Sequence, residues 1–169
     1  MPRTRPTPAV KSKASPSRPP ADVLAQQAWL SVARCYHLCD AVLTSRLAAL
    51  GVRLQEHEVL MNLLLAPDLT QQELANRCFV AKSGVSMLVS SMEDKGLVER
   101  QPDPQDARVR RLALTRRGSV LAARCRQVQE DVVTRMTDGQ PAAVLAGIRD
   151  GMRDASDVLE AMLREKDGP

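Results

Sequence analysis

One segment, Leu69 to Gly118, constrains the fold more than any other part of the chain. Thr70 and Glu73 have the spacing of a capping box, in which each side chain satisfies the other residue's backbone N–H at a helix start. Leu69 before the cap and Leu74 after it are placed to form a hydrophobic staple. A helix therefore opens at Thr70 and is expected to end near Arg77 or Cys78. After a short turn, Val85, Leu88, Val89 and Met92 recur at helical spacing. They predict a second helix over about Lys82 to Lys95, ended by Gly96. Leu97 to Arg100 and Arg110 to Leu114 read as short strands. The stretch between them, QPDPQDARV, is too polar for a core and too long for a tight hairpin. Thr115 begins a further helix. The order helix, turn, helix, strand, charged loop, strand predicts a winged helix-turn-helix, whose second helix fits the DNA major groove.

The flanks are helical. Leu24, Ala28, Val32, Cys35, Cys39, Val42 and Leu47 mark a first helix from Asp22 to about Leu50, stopped at Gly51. Gln55 to Leu65 is a second, with Val59, Leu60, Leu63 and Leu64 inward and Pro67 beyond its end. The helix from Thr115 runs to about Met136. Pro141 suits the first position of a last helix. Val144, Ile148, Met152, Ala155, Val158, Leu159 and Met162 lie on one stripe of it. These long helices carry more apolar surface than one small domain hides, and pairing of two copies about a twofold axis would cover it. Residues 1–20 hold six prolines and five basic residues without an acid, and are expected to form a disordered basic tail. The remaining chain, with 19 basic residues against 20 acidic ones, is nearly neutral, so any anion-binding surface must come from local clustering. Arg100, Arg108, Arg110, Arg111, Arg116 and Arg117 form such a cluster, opposed only by Asp103 and Asp106.

The second helix of the motif carries Ser83, Ser86 and Ser90, short hydroxyl donors able to reach phosphates and base edges, and Lys82, able to neutralise a phosphate. In the wing, Arg108 and Arg110 are placed for a neighbouring minor groove, where arginine gains from the negative potential. Asp106 can hold the Arg108 guanidinium in position. An aromatic content of 2% argues against nucleic-acid binding through stacked bases. There is no phosphate loop, GxSxG, HExxH or Rossmann glycine pattern, so no enzyme and no cofactor are expected. Cys35, His37 and Cys39 cannot share one helical face, which argues against a metal site. Four cysteines without a CxxC pair, no secretory segment and no apolar run of membrane length suggest a cytoplasmic protein with no membrane partner.

The stretches GLVER (96–100), DPQDAR (103–108) and LALTRRG (112–118) closely resemble the MarR family of bacterial transcription regulators, and the resemblance extends over residues 22–164. Asp106, Arg108, Leu114, Thr115 and Gly118 fill the family's wing pattern. The resemblance implies a mainly α fold with a small β-wing, built as a triangular homodimer whose N- and C-terminal helices form the dimer interface. On this reading residues 1–20 are the tail and 21–169 the regulator. Its DNA-binding lobe spans about 54–118, and its dimerisation helices about 22–50 and 116–164. The implied role is a repressor, less often an activator, on a palindromic double-stranded operator, responding to a small ligand or an oxidant. Three positions depart from the family pattern: Ala81 replaces the usual serine cap, Gly84 a threonine, and Met87 an arginine or other polar residue. Met87 cannot make a bidentate contact to guanine but can pack on a thymine methyl. For the effector, Arg34, Tyr36, His37, Arg53 and His57 suit a small aromatic acid of salicylate or nicotinate type, the cation taking the carboxylate and an apolar wall the ring. The alternative is redox or peroxide sensing through Cys35 or Cys39, one helical turn apart on the first helix.

Overall fold

The computed structural model describes residues 20–78, 82–103, 105–106 and 109–166. Nearly all of the expected tail, together with Ala81 and Arg108, lies outside the described residues, as does the side chain of Lys82. The chain divides into two units, one up to Leu38 and one from Cys39 onward.

The first unit contains the leading part of helix α1 (Ala21–Ala48). Asp22 in the first turn and Arg46 in the last complement the helix dipole. Trp29, Leu30, Tyr36 and Leu38 are all exposed on the leading part, with Trp29 at 62%. Of the stripe expected from the sequence, Leu24, Val32 and Val42 are exposed as well. The residues of α1 that reach the core are Leu43 and Leu47, near its C-terminal end.

The second unit continues with α2 (Leu54–Leu65), β1 (Leu69–Thr70), α3 (Gln71–Arg77), α4 (Lys82–Asp94), β2 (Val98–Pro102), β3 (Arg110–Leu114), α5 (Arg116–Thr137) and α6 (Ala142–Lys166). The expected mainly helical architecture with a small β-wing is the one observed. The strands form one antiparallel sheet in the order β1-β3-β2, with Leu69 opposite Leu112 and Val98 opposite Leu114. A core of Leu47, Leu60, Leu74, Val89, Met92 and Leu112, each fully buried, joins α1, α2, α3, α4 and the sheet. Ala122 and Cys125 bring α5 onto this core, where α5 packs along α2.

Three boundaries differ from the sequence reading. Leu69 and Thr70 form a third strand, so Leu69 is held by β3 as well as being placed to staple Leu74. Strand β2 begins at Val98 and runs on to Pro102, because its partner β3 offers backbone groups as far as Arg110. Pro141 stands just before α6, its carbonyl accepting from Val144 N at 2.9 Å, one place ahead of the position expected for it. Among the described residues no helix is long and apolar enough to cross a membrane.

Candidate nucleic-acid interface

Helix α4 presents two faces of opposite character. Val85, Val89 and Met92 are at most 1% exposed, whereas Met87 is 75% exposed. Ser83 and Ser90 are exposed and Ser86 is half-buried. Ser83, Met87 and Ser90 follow one another at steps of four and three, so they form one outward strip one helical turn apart. Local chemistry explains why α4 stops where it does. Gly96 adopts φ +65°, the left-handed conformation that ends many helices. Leu97 N then donates to Met92 O at 2.9 Å and Gly96 N to Glu93 O at 2.8 Å, satisfying the last carbonyls.

Two neighbours fix the end of α4. Lys95 pairs with Glu56, a carboxylate that is itself buried at the start of α2 and accepts from Arg53 N at 2.9 Å and Arg53 Nη2 at 3.1 Å. Burial pushes the Glu56 carboxyl up. The Arg53 backbone N–H, Lys95 and the Arg53 guanidinium together outweigh it and hold the group down at about 2. On the other side, Thr115 Oγ1 donates to Gly96 O at 2.7 Å and accepts from Gly118 N at 3.0 Å. One hydroxyl thus caps α5 and holds the stop of α4. The front of the helix-turn-helix is capped as the sequence indicates: Thr70 N donates to Glu73 Oε2 at 2.7 Å and Glu73 N to Thr70 Oγ1 at 3.2 Å. The same Thr70 groups lower the Glu73 pKa.

The wing is organised by Asp103. Its Oδ1 accepts from Gln105 N at 2.7 Å and Asp106 N at 3.1 Å, and its Oδ2 accepts from Arg111 Nε. Those two backbone donors, with Arg111, lower its pKa. Asp103 N donates to Val109 O at 3.1 Å and Val109 N to Asp106 O at 2.9 Å, closing the loop base. In the sequence Asp103 stands in the charge cluster and in the stretch DPQDAR, and Arg111 in the charge cluster, neither with a structural role of its own. The signal that finds Asp103 is an Asp at the head of a Pro-rich loop, the usual start of an Asx turn. Arg111 had no comparable local signal.

The basic cluster therefore sorts into two classes. Arg100 pairs with Glu93 and donates to Ser90 Oγ at 3.2 Å, so it ties β2 to α4. Arg111 pairs with Asp103. Among the described residues Arg110, Arg116 and Arg117 have no ion pair and are exposed. The pairing expected between Asp106 and Arg108 involves a residue outside the described set.

The effector residues named from the sequence fall in different settings. Arg34, Tyr36 and His37 lie in the first unit and are exposed, with the Tyr36 and His37 rings edge to face at 5.7 Å between centroids. Arg53 and His57 lie in the second unit. The Arg53 guanidinium is bonded to Glu56 and lines a cavity of about 420 Å³ between α2 and α4, with Glu58, Val59, Cys78, Val85 and Leu88 among its walls. Burial and the nearby Asp40 raise the Glu58 carboxyl. His57 is not among the residues lining that cavity. It is buried at 4% exposure, its Nδ1 has no hydrogen-bond partner among the described residues, and burial lowers its pKa against the opposing effect of Gln129 on α5. Cys35 is exposed and Cys39 half-buried, and among the described residues no disulfide forms. Among those residues, too, no group of three or more His, Cys, Asp or Glu is placed to hold a metal ion.

A family model described as the MarR family matches residues 50–109, which run from the end of α1 through the wing loop. Among solved structures the chain is similar to AbsC, a MarR family transcriptional regulator from Streptomyces coelicolor, at 22% identity and TM-score 0.75, covering 86% of this chain and 99% of that one. It is similar to FabT from Streptococcus pneumoniae, solved in complex with DNA, at 20% identity and TM-score 0.71, covering 82% and 99%. It is also similar to CouR from Rhodococcus jostii, solved bound to p-coumaroyl-CoA, at 24% identity and TM-score 0.71, covering 78% and 93%.

Proposed function

We infer that the chain is a MarR-type transcription regulator, which the match of the MarR family model to residues 50–109 supports, and that it acts by sequence-specific binding of α4 and the wing to a palindromic operator. The observation that carries this reading is the one-sided burial of α4. An exposed strip of Ser83, Met87 and Ser90 on a helix anchored at its far end by Lys95 and Gly96 is a surface with no role in the core. Ser83, Ser86 and Ser90 are assigned to groove and phosphate contacts, Lys82 to a phosphate, and Arg108 and Arg110 to the minor groove beside it, with Asp106 supporting the wing. The similarity to FabT, solved in complex with DNA, supports DNA as the partner.

The regulator is a homodimeric repressor, and a small aromatic acid releases it. Support for a small-molecule effector is the cavity against the recognition helix, where Arg53 and Glu58 stand beside apolar walls of Val59, Val85 and Leu88. A carboxylate taken by Arg53 would compete with Glu56 for that guanidinium and so act on the anchor of α4. Arg34, Tyr36 and His37, exposed on the first unit, are effector candidates on the sequence reading alone. The burial of His57 gives it a supporting place rather than a contact. The exposed thiol of Cys35 supports the alternative, a peroxide-sensing repressor in which Cys35 or Cys39 is the sensor.

A gel shift on the DNA upstream of the protein's own gene tests the reading. A salt-sensitive, sequence-preferring complex is expected, and Arg108→Ala should weaken it about tenfold or more without changing the oligomeric state. Absence of any sequence preference would refute the assignment. Benzoate, salicylate and nicotinate, added singly, should include one that raises the melting temperature and dissociates the complex. Release by cumene hydroperoxide, lost in Cys35→Ser or Cys39→Ser, would select the thiol alternative instead.

A further inference from the structure

A two-stranded hairpin is marginal by itself and free to twist at its base. The wing of this chain has an additional fastening. Leu69 and Thr70 pair with Leu112 and Arg111, which makes β3 the central strand and lays Arg111 across the start of α3. From there its guanidinium reaches in two directions. Nε donates to Oδ2 of Asp103, the carboxylate that folds the wing loop, and Nη1 donates to the carbonyl of Asp68 at 2.8 Å. Asp68 sits at φ +66°, the one residue other than glycine with positive φ among those described. Aspartate tolerates that conformation better than most residues. Asp68 is also two residues before Thr70, the cap of α3. A single planar side chain therefore connects the wing loop to the entry of the helix-turn-helix. The fixed fork of arginine suits such a two-way bridge, and a lysine ammonium does not reproduce it.

We propose that Arg111 is a positioning residue for DNA recognition, which by bridging Asp103 to the Asp68 carbonyl fixes the wing's height and angle relative to α4. The proposal rests on the reading that α4 and the wing bind DNA. It assigns Arg111 a part different from that of its neighbours: Arg108 and Arg110 are the wing residues proposed above to contact the duplex, while Arg111 holds the base of the wing. Asp103 acts with it, because the same carboxylate holds the backbone of Gln105 and Asp106.

The test uses the full chain and a duplex that the wild-type protein selects from a random pool. Affinities are measured for wild type, Arg108→Ala, Arg111→Gln and the double variant, at a temperature where circular dichroism shows all four folded. Arg111→Gln should weaken binding about tenfold in the wild-type background and less than about twofold in the Arg108→Ala background, because a wing without its arginine has nothing left to position. Hydroxyl-radical protection under the wing should fade in Arg111→Gln, while protection of guanine N7 under α4 persists. Arg111→Lys should not restore either, and Asp103→Asn, which keeps one acceptor, should fall between the two. Losses that multiply in the double variant would show a separate DNA contact or a general loss of structure, and would overturn the proposal, as would wild-type affinity in Arg111→Gln. If the wild-type chain selects no duplex from the pool, the functional reading fails and this proposal with it. If it selects one and Arg108→Ala weakens binding, only the proposal is at stake in the remaining measurements.

Discussion

Glu56 is a buried carboxylate at the start of α2. Its carboxylate is 2% exposed, so its charge persists only because Arg53 and Lys95 surround it. The folded group titrates at about 2, against an ordinary value of 4.5. A depressed carboxylate stabilises the fold fully above its unfolded pKa and loses that contribution as pH falls toward the folded one. The chain should therefore lose on the order of 3 kcal/mol between roughly pH 5 and pH 2 through this group. In urea titrations across that range, Glu56→Gln should be less stable at pH 7 and show a shallower acid limb. An acid limb identical to wild type would remove Glu56 from the account. Gly118 makes a different single-residue argument. A Cβ built there would lie 1.9 Å from the carbonyl oxygen of Leu97, which already accepts from Thr115 N at 3.1 Å. Backbone cannot step aside as a flexible side chain can, so Gly118→Ala should cost about 2–3 kcal/mol in chemical denaturation. A cost below about 0.5 kcal/mol, within the range of ordinary surface substitutions, would mean that the junction is looser than it is drawn.

At the scale of elements, the junction between α4 and α5 is held by one hydroxyl. Thr115→Val keeps the shape and removes both the cap of α5 and the bond to Gly96 O. A loss of about 1–2 kcal/mol is expected, with faster amide exchange at Gly118 and in the last turn of α4, and Thr115→Ser should restore both. Unchanged exchange in α4 would separate the two helices. What the sequence made legible follows from range. The box at Thr70 and Glu73, the stripe of Val85, Leu88, Val89 and Met92, and the stop at Gly96 are written within a few residues, and all three are as expected, Leu88 being the one of the stripe only partly buried. Strand β1 is only Leu69 and Thr70, too short for any alternation, and its partner Leu112 is far along the chain. The same distance hides Arg111 from Asp68 and Lys95 from Glu56. At the interface, the outward strip of α4 could be read from its period. The sorting of the arginines into Arg100 and Arg111, which hold acids, and Arg110, which among the described residues does not, needed the fold. The first helix misled for another reason. It is apolar on more than one side, so periodicity offered several stripes, and Leu43, absent from the chosen one, is buried.

The whole molecule has an apolar surface that one chain does not cover. On α6, Val144, Ile148, Met152, Val158, Leu159, Met162 and Leu163 are all exposed, between 43% and 60%. They recur at helical spacing, while Arg149, Asp150, Arg153 and Asp154 pair among themselves. That division resembles a helix with one face in water and one against a partner. Monomers rarely leave so continuous a stripe open, and twofold pairing is the commonest way to close it. Each such side chain contributes about 1.5–3 kcal/mol when fully buried, so several together can exceed the cost of association. The chain of 18.5 kDa should therefore sediment at twice that mass at micromolar concentration. Replacing Leu159 and Met162 together with glutamate should give a monomer whose lobe still folds, because neither residue belongs to the core. That monomer should bind a palindrome with the affinity of one half-site, since two lobes held together reach both halves at a high effective concentration and a lone lobe does not. Sedimentation of the wild-type chain as a monomer would remove the dimer from the proposed function. A glutamate variant that stays dimeric would place the interface on another surface, with the exposed leading part of α1 the next to test.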